Sequence, residues 1–235
     1  MSLSRPAPRV VRTPRDAERA ARDWMIYFGH RNARLTVVGP DMGVDVNADD
    51  AVAQVKAGAS RIGRPVVQQI YGAAELESKD AYLFTVGGVT DEARQWANRA
   101  GVAVFRLDLA GDAFAVNAEA RAVLDAADRI AAGWSEMRRL IDSVAKCKAP
   151  GAAMGRFDVG SSPVARWIIW FWGPDWIEIT NAPTGSGVAR VSSVDEAMLR
   201  FEQQFDAAGR VPNDFAVERF VGGRRLTEDR VDRHG

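Results

Sequence analysis

The stretch from Gly39 to Gln69, GPDMGVDVNADDAVAQVKAGASRIGRPVVQQ, constrains this chain more than any other. Asp45, just after a glycine, precedes an apolar alternating run that closes on Gln54-Val55-Lys56. Eleven positions separate Asp45 from Lys56, a spacing that fits two neighbouring strands joined by a tight turn, and Asn47-Ala48-Asp49-Asp50 is short and polar enough to be that turn. Gln54 and Lys56 are two apart, so both side chains leave the same face of their strand. A carboxylate, an amide oxygen and an ammonium then converge on one spot. That grouping suits a hard divalent cation held by oxygen ligands, with a lysine beside it to activate water or steady a phosphate.

The flanking sequence supplies a sheet for this hairpin. Thr13 and Pro14 read as N-cap and first residue of a helix running to about Phe28, with Ala17, Ala20, Ala21, Trp24, Met25 and Phe28 as its buried face. Strands are expected at Arg34–Val38, Val44–Asn47 and Ala51–Lys56, then a helix from Pro65 to Leu76. Ala81–Val86 and Val102–Leu107 are apolar enough to be strands buried on both faces, and Thr90 caps a helix between them. Hairpins first and strand–helix–strand units later give a mixed sheet with helices on both faces, an α/β fold.

These pieces occur in a particular order. A helix carries Glu18, followed by Gly43-Val44-Asp45, Gln54-Val55-Lys56 and GRPVVQQIYG, then a strand ending in Thr85-Val86-Gly87-Gly88 and a helix opened by Thr90-Asp91-Glu92-Ala93-Arg94. From about Ala17 to Leu109 this order resembles the Mrr-like branch of the PD-(D/E)xK nucleases, the type IV restriction endonuclease family, in which the middle acidic residue is often glutamine. The resemblance implies a restriction-endonuclease-like fold and a DNA endonuclease that hydrolyses phosphodiester bonds, in modified or foreign DNA, with Mg²⁺ or Mn²⁺. It implies Asp45, Gln54 and Glu18 around the metal and Lys56 beside the attacking water. Taken alone, Glu18 reads as a helix-surface acid paired with Arg22. Gln68 and Gln69 match a family position that contacts the site. Arg61 and Arg64 flank a helix N-terminus, where they either face phosphates or are plain surface arginines. The alternative function is a nuclease fold kept as a DNA-binding or protein-interaction module without cleavage.

Charge and composition limit the remaining choices. Formal net charge is zero, which argues mildly against indiscriminate DNA binding. No apolar run is long enough to span a bilayer, and the start lacks a signal peptide's apolar core. The single Cys147 cannot form an internal disulfide, so a reducing cytoplasm is expected. Residues 1–15 carry Arg5, Arg9, Arg12 and Arg15 and form a flexible basic arm, either merely solvated or, through Arg12 and Arg15 near the helix start, following a phosphate backbone. His30 is expected to be a loop residue rather than a catalyst, and Asp41 a turn residue.

The nuclease-like part is expected over 16–112, a long helix and linker over 113–150, a small α+β part over 151–221 and a disordered charged tail over 222–235. In the third part, Ala165–Phe171, Trp176–Thr180 and Val188–Val191 read as antiparallel strands, with a capped helix from Ser192 to about Ala208. Trp167, Trp170, Trp172 and Trp176 either form a compact apolar core or offer a stacking platform for a base. Cutting both strands of DNA calls for two active sites, so a homodimer is expected.

Overall fold

The computed structural model describes residues 4–36 and 43–145, the strands 153–158, 166–173, 176–181, 187–191, 215–221 and 224–231, and the helical positions 195, 196 and 199. The chain divides into two compact units, Ser4–Asp128 and one that takes in Arg129–Gly235.

The first unit is an α/β domain. Its elements are α1 (Pro14–Tyr27), β1 (Arg34–Leu35), β2 (Val46–Asn47), β3 (Ala51–Lys56), α2 (Arg64–Glu77), β4 (Asp80–Thr85), α3 (Asp91–Ala100), β5 (Ala103–Leu107) and β6 (Ala113–Ala115), followed by α4 (Ala118–Ala145). The strands lie in the order β1-β2-β3-β4-β5-β6. Pairing is antiparallel from β1 to β3, parallel across β3, β4 and β5, and antiparallel again at β6. This is the expected mixed sheet, with β6 added at its edge.

Alternation assigns the two faces. Val52, Leu83 and Val104 pack with Val67, Ile70 and Ala74 of α2 and Ala93 and Ala97 of α3. The other face presents Tyr82 and Phe105, against which Phe28 stacks just beyond α1. Thr13 and Asp16 form a capping box at the start of α1, each side chain accepting the other's backbone N–H. Asn117 joins α4 to the sheet: its amide accepts from Val104 N and Ala120 N and donates to Val102 O.

The basic arm does not lie loose along its described length. Arg9 N and Val11 N donate to Ala110 O and Leu109 O. Arg5 grips Asp128 through two nitrogens, and Arg9 pairs with Asp23. Gly111 makes this possible, since it has φ +80° and a Cβ there would stand 2.7 Å from Arg9 O.

The second unit contains the antiparallel strands β7 (Ala153–Asp158), β8 (Arg166–Gly173), β9 (Trp176–Asn181), β10 (Gly187–Val191), β11 (Phe215–Val221) and β12 (Arg224–Val231), in the order β10-β9-β8-β7-β11-β12. Where the sequence reading put a disordered tail, β12 pairs with β11, Val221 opposite Arg224. Two glycines separate those residues, a strong hairpin signal that the density of charge obscured. The surroundings of the four tryptophans, most of the helix expected after Ser192, and Asp41 lie outside the described residues. No described helix is long and apolar enough to cross a membrane.

Candidate active site

Asp45 lies beside the Gln54-Val55-Lys56 segment, at the end of β3. Asp45 lies just before β2, and its Oδ2 accepts a 2.7 Å hydrogen bond from the backbone N–H of Val55. Val55 is the residue between Gln54 and Lys56, so the carboxylate is seated against the peptide that carries the other two. Asp45 N donates in turn to Ala53 O. The carboxylate is therefore placed by backbone geometry rather than by a long flexible side chain.

Gln54 is the unusual member. It is 1% exposed, and among the described residues its Oε1 has no hydrogen-bond partner. Its Nε2 donates a long bond, 3.4 Å, to Gln69 Oε1 on α2. A buried amide oxygen without a partner costs about 1–3 kcal/mol, so its persistence calls for an explanation. Gly43 is part of the arrangement: φ is +80°, and a Cβ would lie 2.4 Å from Gln54 Nε2 and 2.9 Å from Gln69 Nε2. Gly43 thus both permits a left-handed backbone and leaves room for the two amides.

Lys56 is half-buried and has no ion-pair partner among the described residues. It borders an open cleft of about 520 Å³ to which the start of α1, the chain after β3, and residues following β4 and β5 contribute. Two contacts fix the far wall. Val86 N donates to Lys56 O, and a Cβ on Gly87 would stand 2.4 Å from Ser60 O.

The remaining expected site residues separate into those that reach this region and those that are otherwise engaged. Glu18 rides on α1, which covers the opposite face of the sheet from Gln54 and Gln69. Its carboxylate is 2.5 Å from Arg15, not paired with Arg22, which instead holds Asp23. Arg15 is thereby engaged as well, whereas Arg12 lines the cleft with no side-chain partner among the described residues. Arg61 is exposed beside the cleft wall. Arg64 stands 3.5 Å from Glu92 and, with the Gln68 amide turned so that Oε1 faces it, donates to that oxygen at 3.2 and 3.3 Å. The glutamine that touches Gln54 is Gln69. His30 is a loop residue, as expected, but a buried one: its two ring nitrogens bond Asp50 and Tyr82 Oη, both at 2.8 Å.

Comparison with known proteins bears on this geometry. Residues 12–109 match the family model of the restriction endonuclease catalytic domain, Mrr_cat. This segment is an Mrr-type restriction-endonuclease domain. No curated protein and no solved structure matches the chain. The match begins with Arg12 and ends with Leu109, both of which line the cleft.

Restriction-endonuclease domains of this kind generally use divalent metals, so the Mrr-type site can be tested for fit. Among the described residues no three His, Cys, Asp or Glu side chains gather into a metal cluster. What the site offers is one carboxylate, Asp45, and one amide oxygen without a partner, Gln54 Oε1. Both are hard oxygen donors, of the type Mg²⁺ takes when water and phosphate complete its shell. The residues fit such an ion, held loosely. Sequence reading gave Gly43 only as a neighbour of Asp45. Its tight placement against two glutamines appears only once α2 is docked on the sheet.

Proposed function

We propose that the Mrr-type domain is a metal-dependent DNA endonuclease whose site is Asp45, Gln54 and Lys56. The observation that carries this is the buried Gln54 Oε1, without a hydrogen-bond partner among the described residues, next to a backbone-anchored carboxylate and a half-buried lysine with no ion pair among those residues. A divalent ion, when bound, supplies Lewis-acid polarisation of the phosphoryl oxygens. Asp45 and Gln54 would hold it: Val55 N–H fixes the carboxylate, and the Gln54 Nε2 bond to Gln69 leaves the Gln54 oxygen without a partner among the described residues. Lys56 donates to a non-bridging oxygen of the scissile phosphate and orients the attacking water, placing positive charge where negative charge grows. Glu18 lies on the far helix in an ion pair with Arg15. It joins the site only if that pair opens when DNA binds.

Two protein ligands make a weak metal site, so Mg²⁺ binds poorly to the free protein and tightens when phosphate adds a ligand. Calorimetry showing tight Mg²⁺ binding without DNA would contradict this. An inactive binding module has no use for an unsatisfied buried amide, and nothing among the described residues favours that reading. The test is cleavage of methylated and unmethylated plasmid with Mg²⁺ or Mn²⁺, wild type beside Lys56→Ala. Cleavage lost in the variant supports the assignment, and a preference for methylated plasmid would place the substrate in modified DNA. Equal cleavage by both proteins overturns it. Double-strand cutting further calls for two copies of the chain, which gel filtration at several concentrations tests.

A further inference from the structure

The cleft beside Lys56 has a composition that the catalytic residues do not explain. It opens off the carboxyl ends of the three parallel strands: Lys56 ends β3, Val86 follows β4 and Leu109 lies two residues past β5. In open α/β sheets, that end is where ligands bind. Asp45 and Gln54 do not line it. Its walls are largely apolar, with Val11 from the arm, Pro14 from the start of α1, Ile62 from the chain after β3, and Val86 and Leu109. Leu109 is 70% exposed, a large apolar side chain left open to solvent. Among the described residues, no carboxylate and no aromatic ring lines the cleft.

Its two cations differ from their neighbours. Arg5, Arg9 and Arg15 each have a carboxylate partner. Arg12 and Lys56 face the cleft and have none among the described residues. An apolar slot with two unneutralised cations at its edge matches a flat apolar group attached to an anion. In a nucleic acid that unit is one nucleotide, with its base in the slot and its phosphates against Arg12 and Lys56. At about 520 Å³ the cleft falls within the range of small-molecule sites, roughly 300–1,000 Å³.

We infer that the cleft receives the base of one unstacked nucleotide next to the scissile phosphate, so that the domain engages single-stranded or locally opened DNA in preference to intact duplex. This rests on the reading of the domain as a nuclease. In a duplex both base faces are stacked, so entry requires the nucleotide to leave the helix, which costs least where the strand is already single. With no aromatic platform the base is held by apolar packing, which is tolerant of sequence.

The experiment is fluorescence anisotropy on the full chain, with Ca²⁺ in place of Mg²⁺. The probes are a short single strand, the same strand with consecutive abasic sites, and the corresponding duplex. Wild type is expected to bind the intact strand about ten-fold more tightly than the abasic one, the scale of one base contact. Two variants fill the slot or make its wall polar without changing its charge: Gly58→Leu, where a Cβ meets open space, and Leu109→Asn, at a solvent-exposed position. Both should lose the base-dependent difference and keep the abasic affinity. Equal binding of intact and abasic strands by wild type, or duplex bound as tightly as single strand, overturns the inference. Plasmid and single-strand cleavage with Mg²⁺ separate it from the nuclease reading. Base-dependent binding without cleavage by wild type leaves the cleft assignment standing and removes the nuclease. Cleavage without base dependence does the reverse.

Discussion

The two ends of β3 carry polar clusters of similar size and opposite character. Just before its start, the Asp50 carboxylate bonds one nitrogen of the His30 ring, whose other nitrogen meets Tyr82 Oη, so the buried His30 and Tyr82 are both partnered. At its finish, Gln54 Oε1 is buried without one, and Lys56 has no ion pair among the described residues. The same strand thus supports a closed network at one end and an open one at the other. A closed network stabilises only the fold. An open one carries a cost that a ligand can offset, and that is the physical signature of a site.

The largest effect that would sharpen this contrast lies at Lys56. Lys56→Ala should lower cleavage by about 10²-fold or more, as loss of one transition-state donor does, with little change in thermal stability because the side chain has no partner among the described residues to lose. Gln54→Leu should separate function from stability in the opposite sense. It removes a buried unpartnered oxygen at similar volume, so cleavage should vanish while stability holds or rises by up to about 1 kcal/mol. Thermal unfolding of both variants beside plasmid cleavage checks the pair. A strongly destabilised Gln54→Leu would mean that the amide is structural, and the contrast between the two ends would fail.

How much of this was legible in the sequence depended on range. Thr13 and Pro14 are neighbours, and the N-cap and first residue of α1 could be read directly; the capping box that Asp16 completes was not. The apolar runs of β4 and β5 and the helix between them fixed the parallel pairing of those two strands. The Asp45 to Lys56 hairpin followed from spacing. Contacts made across the fold were not legible. Nothing local distinguishes Gln68 from Gln69, yet one turns to Arg64 and the other to Gln54. Nothing local predicts that Arg15 rather than Arg22 holds Glu18, or that a basic arm is tied down by Asp23, Asp128 and the backbone at 109 and 110. The β11–β12 hairpin was legible in its two glycines but outweighed by charge. Its lesson is that turn chemistry can override composition.

Gly43→Ala probes the open end from its support. The substitution strains a left-handed backbone and drives a methyl group into the space of both glutamine amides. It should cost about 1–3 kcal/mol and lower cleavage with it, since the displaced amide is the proposed ligand. His30→Ala probes the closed end. It leaves Tyr82 Oη buried without its partner and should cost about 2 kcal/mol, while cleavage at a temperature where the variant is folded stays near wild type. Loss of cleavage in folded His30→Ala would dissolve the distinction between the two ends.

The smallest effect concerns the arm that forms one wall of the cleft. Asp128 has its carboxyl pKa lowered, first by the hydrogen bond from Arg5 and also by that from Tyr27. Tyr27 is pushed up to about 12, by burial first and then by Asp128. The signs are opposite. A carboxyl lowered in the folded state contributes stability that is present above the unfolded pKa, near 3.8, and is lost as pH falls through the folded value. A phenol raised in the folded state contributes stability present below about pH 10, lost as pH rises toward 12. Both groups are partly open to solvent, and screening holds the acid contribution below about 1 kcal/mol. Asp128→Asn should therefore flatten the acid limb of the thermal-stability profile slightly and leave neutral-pH cleavage unchanged. The backbone bonds of Arg9 and Val11 and the Arg9–Asp23 pair still hold the arm in that variant, so Arg12 keeps its place at the cleft. If Asp128→Asn weakened single-strand binding at neutral pH, the wall would depend on that one ion pair, and the arm would be a movable part of the site rather than a fixed one.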